Sequence, residues 1–307
     1  MNTVIRRLRT SDREDIAEIS RNIWEGHDYL LSVVDEWLQD TTSHFYGVEV
    51  DGHIVAVGNL RLIEDGRTGW MEGLRVHPEY RGKGLANKIT MHFVSEAEKL
   101  GVQRLRYTTS TENAASVNIA RMAGFSRILE MAVIWLHNIK PAPKLPDYRR
   151  IQRLSPGKIC SLLQNSPPNV PPAILTYDWK ALDCNCQNLT EIAKTHQFFI
   201  ALKEGRTDSF SFGHTRHAQN SSSWSFTAYA TDSTGFLSQL SHNAALTLKH
   251  GLNSTACTFD TRFEKALNEI KFGPEEREGT HLVLFERRLH TKEQSKRTRS
   301  DFFHLKL

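Results

Sequence analysis

The spacing of apolar residues divides the chain into short strands and amphipathic helices. An extended apolar stretch opens at residues 3–8. Ser11 and Glu14 then have the spacing of a capping box, and Ile16, Ile19 and Ile23 recur behind them at helical intervals. A second helical period runs through Leu30, Val34, Trp37 and Leu38. Strands are predicted over 45–50 and 54–62, joined by the hairpin pair Asp51-Gly52, and again over 70–76 after Asp65-Gly66. Leu85, Ile89, Phe93, Ala97 and Leu100 mark one face of a helix that stops at Gly101. A strand over 104–109, a helix over about 114–123 ended by Gly124, and one or two strands over 125–136 follow.

The segment Lys140-Pro141-Ala142-Pro143-Lys144-Leu145-Pro146 can sustain neither helix nor ladder and reads as a linker. Beyond it, strands over 197–202, 209–213 and 224–230, a helix over 236–249, a strand over 256–260, a helix over 263–270 and a strand over 281–287 are predicted. Each half therefore has the order βββαβαβ, which implies a structural repeat. The expected fold class is α/β, with domains at 1–139 and 151–290, a linker at 140–150 and a basic tail at 291–307.

Composition narrows the function. A chain of 307 residues is long enough for two domains with their own cores. The formal net charge of +4 includes no charge block of the kind a nucleic-acid binder carries. No apolar run is long enough to span a membrane, and residues 1–7 lack the apolar stretch of a secretory signal. The expectation is a cytoplasmic protein with neither nucleic-acid nor membrane partners; its oligomeric state is left open. Four cysteines do not make a disulfide framework, and Cys184-x-Cys186 has no second pair at metal spacing. Fourteen histidines show no i, i+4 pair beside a carboxylate, so no metal is expected.

The run Arg81-Gly82-Lys83-Gly84-Leu85-Ala86 lies between a strand and a helix. Small residues there let the backbone approach a diphosphate, and the open N–H groups of the helix start point at negative charge. A Walker A loop is excluded because no Gly-Lys-Ser/Thr ending is present. The dinucleotide fingerprint fails too, since Lys88 stands near where a third Gly is needed.

The pattern Arg81-x-x-Gly84-x-Ala86 instead resembles motif A of the GCN5-related N-acetyltransferases. Thr111-Glu112-Asn113, Ser116 and Ala123-Gly124-Phe125 resemble that family's next block. The resemblance covers about residues 3–137. It implies an acetyltransferase (GNAT) fold with a mixed, mostly antiparallel sheet and flanking helices, acetyl-CoA as co-substrate and an amine acceptor. By the same resemblance, the backbone of Leu74, Arg75 and Val76 would pair with the pantetheine, and one N–H there would polarise the thioester. Arg81, Gly82, Lys83, Gly84, Leu85 and Ala86 would hold the pyrophosphate, and Asn113 and Ser116 would lie near the sulfur.

Residues 23–30 together with Met71-Glu72-Gly73-Leu74-Arg75-Val76 resemble members that acetylate the α-amine of a free amino acid, histidine foremost. Glu72, between Met71 and Gly73, is expected to be a partly buried carboxylate of raised pKa that accepts the amine proton. Asp28 and Tyr29 would contact the acceptor; a helix cap and a core aromatic are the plainer roles for them. His27 and His77 carry no assignment. Where the family often has a Tyr as general acid this chain has Ala120, which leaves that role to Ser116, Tyr107 or water. The second half has Ala230-Thr231-Asp232-Ser233-Thr234-Gly235 at the matching turn, an Asp where a diphosphate would sit. It is expected to be a degenerate acetyltransferase-like half that binds no coenzyme. Two other functions fit the same motifs: acetylation of a protein or peptide, and a coenzyme-binding regulatory module without turnover.

Overall fold

The computed structural model describes residues 2–21, 23, 28–140, 148–164, 167, 170–218, 221–270 and 278–289. Trp24, Glu25, Gly26 and His27, most of the expected linker and the basic tail lie outside the described residues. The chain forms two compact units built from interleaved segments. The first holds the chain up to Tyr107, then Asn113–Ile128, and the chain from Phe285; the second holds Thr108–Glu112 and Leu129–Leu284. The chain thus passes into the second unit at Leu129, earlier than the expected boundary at 139. It returns at Phe285, within the stretch expected to be a second domain.

In the first unit β1 (Val4–Arg7), β2 (Ser43–Val50), β3 (His53–Ile63) and β4 (Thr68–Val76) form an antiparallel sheet in that order. Parallel to β4 runs β5 (Arg104–Ser110), but only Thr68, Gly69 and Trp70 pair with Arg104, Leu105 and Arg106. One sheet face is covered by α1 (Arg13–Ser20) and α2 (Leu30–Gln39), whose Ile16, Ile19, Leu30, Val34 and Trp37 bury against Phe45, Ile54 and Val57. The other face receives α3 (Leu85–Lys99); a Cβ at Gly58 would lie 3.1 Å from Phe93 and 3.2 Å from Ile89. The helix α4 (Ala114–Met122) follows β5, and β6 (Ser126–Leu136) is one strand rather than two.

The expected capping box at Ser11 and Glu14 is replaced. A 3₁₀ turn, Thr10–Asp12, precedes α1. Asp12 accepts from the Arg9 N–H at 2.7 Å and from two Arg6 nitrogens at 2.8 Å. Arg6 on β1 recruits that carboxylate, and the helix begins one residue past it.

The second unit repeats the order βββαβαβ as β10 (Gln197–Lys203), β11 (Arg206–Ala218), β12 (Ser221–Ala230), α6 (Ser233–Lys249), β13 (Thr255–Asp260), α7 (Glu264–Glu269) and β14 (Glu278–Arg288). Ahead of it come β7 (Gln152–Leu154), a 3₁₀ segment (Pro156–Leu163), the hairpin β8 (Ile174–Tyr177) and β9 (Lys180–Asp183), and α5 (Cys186–Ile192). The strand order within this unit is β14-β6-β13-β12-β11-β10-β7, with β12 and β13 parallel. Phe236, Leu240, Phe259 and Phe263 form the core under α6 and α7. Phe198, Phe210, Phe212 and Tyr229 form a second core under α5 and the β8–β9 hairpin. Cys160 and Cys186, read from the sequence as outside any disulfide framework, are bridged, because the 3₁₀ segment and the start of α5 bring their Cα atoms to 5.0 Å. Among the described residues no helix is long and apolar enough to cross a membrane.

Candidate acyl-transfer site

The site is organised by an irregularity in β4. Asn59 faces Glu72 and Val57 faces Arg75, so Gly73 and Leu74 together stand opposite Gly58. This is a β-bulge, and Gly73 carries its positive φ of 66°. A side chain is excluded there sterically as well, because a Cβ would lie 2.6 Å from the Trp37 ring. The β4–β5 ladder ends at Trp70 and Arg106. Leu74, Arg75 and Val76 therefore lie beyond it, on a stretch whose edge an extended ligand could join.

Past β4 the chain makes a 3₁₀ turn, Pro78–Tyr80, and enters the exposed loop over 81–84. Gly82 and Gly84 both have positive φ, 74° and 77°, with open space where a Cβ would be. Glycine is needed there for backbone conformation, not for room. Gly84 is the N-cap of α3, and no side chain caps that helix. The leading N–H groups of a fifteen-residue helix are thus presented with Arg81 and Lys83 beside them. Arg81 Nε donates to the Val76 carbonyl at 3.3 Å, and Lys83 Nζ lies 4.5 Å from the Tyr80 ring centre. This donor set suits a diphosphate.

The matching start in the second unit is closed. Asp232 caps α6 by accepting from the Gly235 N–H at 2.9 Å, and its other oxygen accepts from Arg149 Nη2 at 2.6 Å. Arg149 also pairs with Asp208. A carboxylate already occupies the place where an anion would dock.

Glu72 is not isolated among apolar neighbours, as its sequence context suggested. Its carboxylate lies 3.2 Å from Arg61 Nε, and Asn59 Nδ2 donates to it at 3.2 Å. Both partners come from β3, one strand over, and the fully buried Asn59 also donates to Ser43 Oγ. Arg61 reaches α2 as well, where its Nη2 donates to Glu36 at 3.0 Å. Polar residues at alternate positions of an otherwise apolar strand were the available signal for Asn59 and Arg61.

Asp28 meets Arg75 rather than solvent. Its side chain is 1% exposed and accepts from Arg75 Nε and Nη2, both at 3.1 Å, while Oδ1 also accepts from the Leu30 N–H. Arg75 lies 5.4 Å from the centre of the Tyr29 ring, which meets Trp37 edge-on. Desolvation raises the Tyr29 pKa; Arg75 opposes the shift and the Glu72 and Asp28 carboxylates reinforce it. Glu72, Arg75, Asp28 and Tyr29 thus form one electrostatic cluster at the start of α2.

Asn113 caps α4, accepting from the Ser116 N–H at 3.1 Å. Tyr107 is buried, stacked on Phe285 and edge-on to Phe125, and its hydroxyl donates to the Ser116 carbonyl at 3.0 Å. Burial pushes its pKa up to about 12. That hydroxyl is committed to packing, so Tyr107 is a poor candidate for the missing general acid.

A βββαβαβ unit with a bulge in its third strand and an open, glycine-flanked helix start is an acyltransferase-type architecture. Residues 10–125 match the acetyltransferase (GNAT) family. Two solved structures align over most of the chain. A tandem GNAT protein from the clavulanic acid biosynthesis pathway aligns with a TM-score of 0.60 at 13% identity, over 94% of this chain and 98% of its own. A GCN5-related N-acetyltransferase from Sphaerobacter thermophilus aligns at 0.61 and 11% identity, over 93% and 95%. At such identities the likeness is one of fold.

Among curated proteins, histidine N-acetyltransferase of Oreochromis niloticus is 38% identical over 29% of this chain and 26% of its own length. That of Scomber australasicus is 32% identical over 33% and 30%. Human probable N-acetyltransferase 16 is 36% identical over 28% and 23%. The chain thus covers between about a quarter and a third of the length of these relatives.

Proposed function

We propose that the chain is an acetyl-CoA-dependent N-acetyltransferase whose acceptor is the α-amine of a free amino acid, L-histidine favoured. The observation that carries this reading is the pairing of the β4 bulge at Gly73 with the uncapped start of α3. The first leaves a strand edge for a pantetheine arm, the second an anion cradle at its end. Arg81, Gly82, Lys83, Gly84, Leu85 and Ala86 take the pyrophosphate, and Leu74, Arg75 and Val76 the arm. Asn113 and Ser116 flank the sulfur.

The acceptor lies over Tyr29 and Glu72. Glu72 takes the proton that the ammonium must lose before its nitrogen attacks the thioester carbon. A backbone N–H of β4 past the bulge steadies the developing oxyanion as the C–N bond forms and the C–S bond breaks. The nitrogen gives its second proton to solvent once the C–N bond has formed, and the departing thiolate takes one from solvent. Tyr29 offers an aromatic face for an imidazole, and Asp28 acts by fixing Arg75 against that ring. The names of the aligned relatives support histidine as acceptor. The second unit, with its own anion cradle closed by Asp232, binds no coenzyme.

The test is release of thiol from acetyl-CoA with each of the twenty amino acids. Turnover confined to histidine supports the full reading. Turnover with several amino acids keeps the reaction class and discards the acceptor. No turnover while coenzyme still binds favours a peptide acceptor or a regulatory role.

A further inference from the structure

The second unit gathers a cluster that lies outside the site above. The β8–β9 hairpin turns at Asp178 and Trp179, both at positive φ (43° and 64°), which makes the turn tight. Asp178 Oδ2 lies 2.7 Å from His214 Nε2 on β11 and 3.8 Å from Nε2 of His196, the residue before β10. The two imidazole centres are 4.3 Å apart, and the three donor atoms all lie within 4.8 Å of one another. The other carboxylate oxygen of Asp178 accepts from Ser225 Oγ at 2.8 Å.

The setting of His196 bears on what this cluster can hold. Its Nδ1 is 3.2 Å from the Ile192 carbonyl, which only accepts, and 2.8 Å from Thr195 Oγ1. These two contacts hold the ring from its Nδ1 side and turn Nε2 towards Asp178. That Nε2 is buried with no hydrogen-bond partner, on a side chain 7% exposed, and it is aimed at a carboxylate. A buried imidazole nitrogen aimed at a carboxylate 3.8 Å away, too far for a hydrogen bond, leaves a gap that a cation between the two would fill. A ring anchored through Nδ1 to a backbone carbonyl is also how metal-ligating histidines are commonly held.

We propose that Asp178, His196 and His214 form a binding site for one divalent transition-metal ion, zinc being the best fit. Two imidazoles and one carboxylate are ordinary zinc donors, with bonds of about 2.0–2.2 Å and a fourth position left for water. Tetrahedral donors at that range stand about 3.4 Å apart, between the 2.7 and 3.8 Å measured for the two histidines against Asp178. On binding, the ion replaces the His214–Asp178 hydrogen bond, the His214 proton moves to Nδ1, and nothing is oxidised or reduced. Ser225 and the Ile192 carbonyl orient the ligands from behind. The ion pins the β8–β9 hairpin to β10 and β11. Sequence spacing does not reveal the set, because its members come from a hairpin turn, the residue before β10, and β11.

The full chain, stripped with chelator, is titrated with Zn²⁺ alone by calorimetry and melted with and without it. The expected result is one equivalent bound and a melting point raised by several degrees. Asp178→Asn and His214→Gln each weaken binding by about tenfold or more and remove the thermal shift. Absence of saturable binding overturns the proposal, as does affinity that stays within about twofold in both variants. Should the variants fail to fold, Co²⁺ in the unaltered protein decides. Tetrahedral ligand-field bands without sulfur charge transfer support the site, and a thiolate charge-transfer band assigns the ion elsewhere.

Discussion

Arg75 holds Asp28 by two parallel hydrogen bonds, Nε to Oδ2 and Nη2 to Oδ1, each 3.1 Å long. The pair joins the strand that carries the bulge to the start of α2, with the Asp28 side chain 1% exposed. A carboxylate so engaged does not itself meet an acceptor. It sets the guanidinium that stands over the Tyr29 ring.

Asp28→Ala removes the carboxylate that Arg75 grips with two hydrogen bonds. Breaking a buried pair from one side costs about 3–5 kcal/mol. Urea unfolding should show a midpoint lowered accordingly, and turnover should fall through a raised KM for the amine. A variant of unchanged stability would show that Arg75 finds another partner at little cost.

Glu72→Gln keeps the shape and the Asn59 contact while removing the proton acceptor. The rate of thiol release should fall by about 10²–10⁴-fold, with acetyl-CoA affinity unchanged by calorimetry. A rate within about twofold of the unaltered enzyme would take Glu72 out of the reaction.

Gly84→Val places a β-branched residue at φ 77°, which costs about 1–3 kcal/mol, and it crowds the cradle. Acetyl-CoA affinity should drop by about tenfold or more. Asp232→Ala, at the corresponding helix start of the second unit, should leave that affinity unchanged. Equal losses in both variants would mean that the coenzyme does not distinguish the two helix starts.

Tyr107 titrates at about 12 when folded, against about 10 when unfolded. The protonated phenol is therefore favoured by folding, and its contribution is complete below pH 10 and lost as the pH rises towards 12. That difference corresponds to about 2–3 kcal/mol. Alkaline unfolding of Tyr107→Phe should be less steep across that window. An identical profile would mean that the other buried tyrosines account for the alkaline transition.

Much of the site was legible along the chain because its parts are local. A strand, a glycine loop and a helix start lie within about twenty consecutive residues, and the backbone conformations that Gly82 and Gly84 permit follow from their having no Cβ. The repeated βββαβαβ order was legible for the same reason, since each element declares itself through the period of its own apolar residues. The strands and helix missed, β7, β8, β9 and α5, are short, and their apolar residues join a core only with Phe198 and Phe212.

What the sequence by itself determined, then, is the order of elements and the glycine loop ahead of α3, both dictated by periodicity and backbone freedom over short spans. Tertiary structure alone decided the partners. It placed Arg61 and Asn59 beside Glu72, turned Asp28 to Arg75, bridged Cys160 to Cys186, and brought Asp178, His196 and His214 together. Those pairings depend on strand register and on which turn faces which strand, and both are set by how the sheet faces bury their side chains.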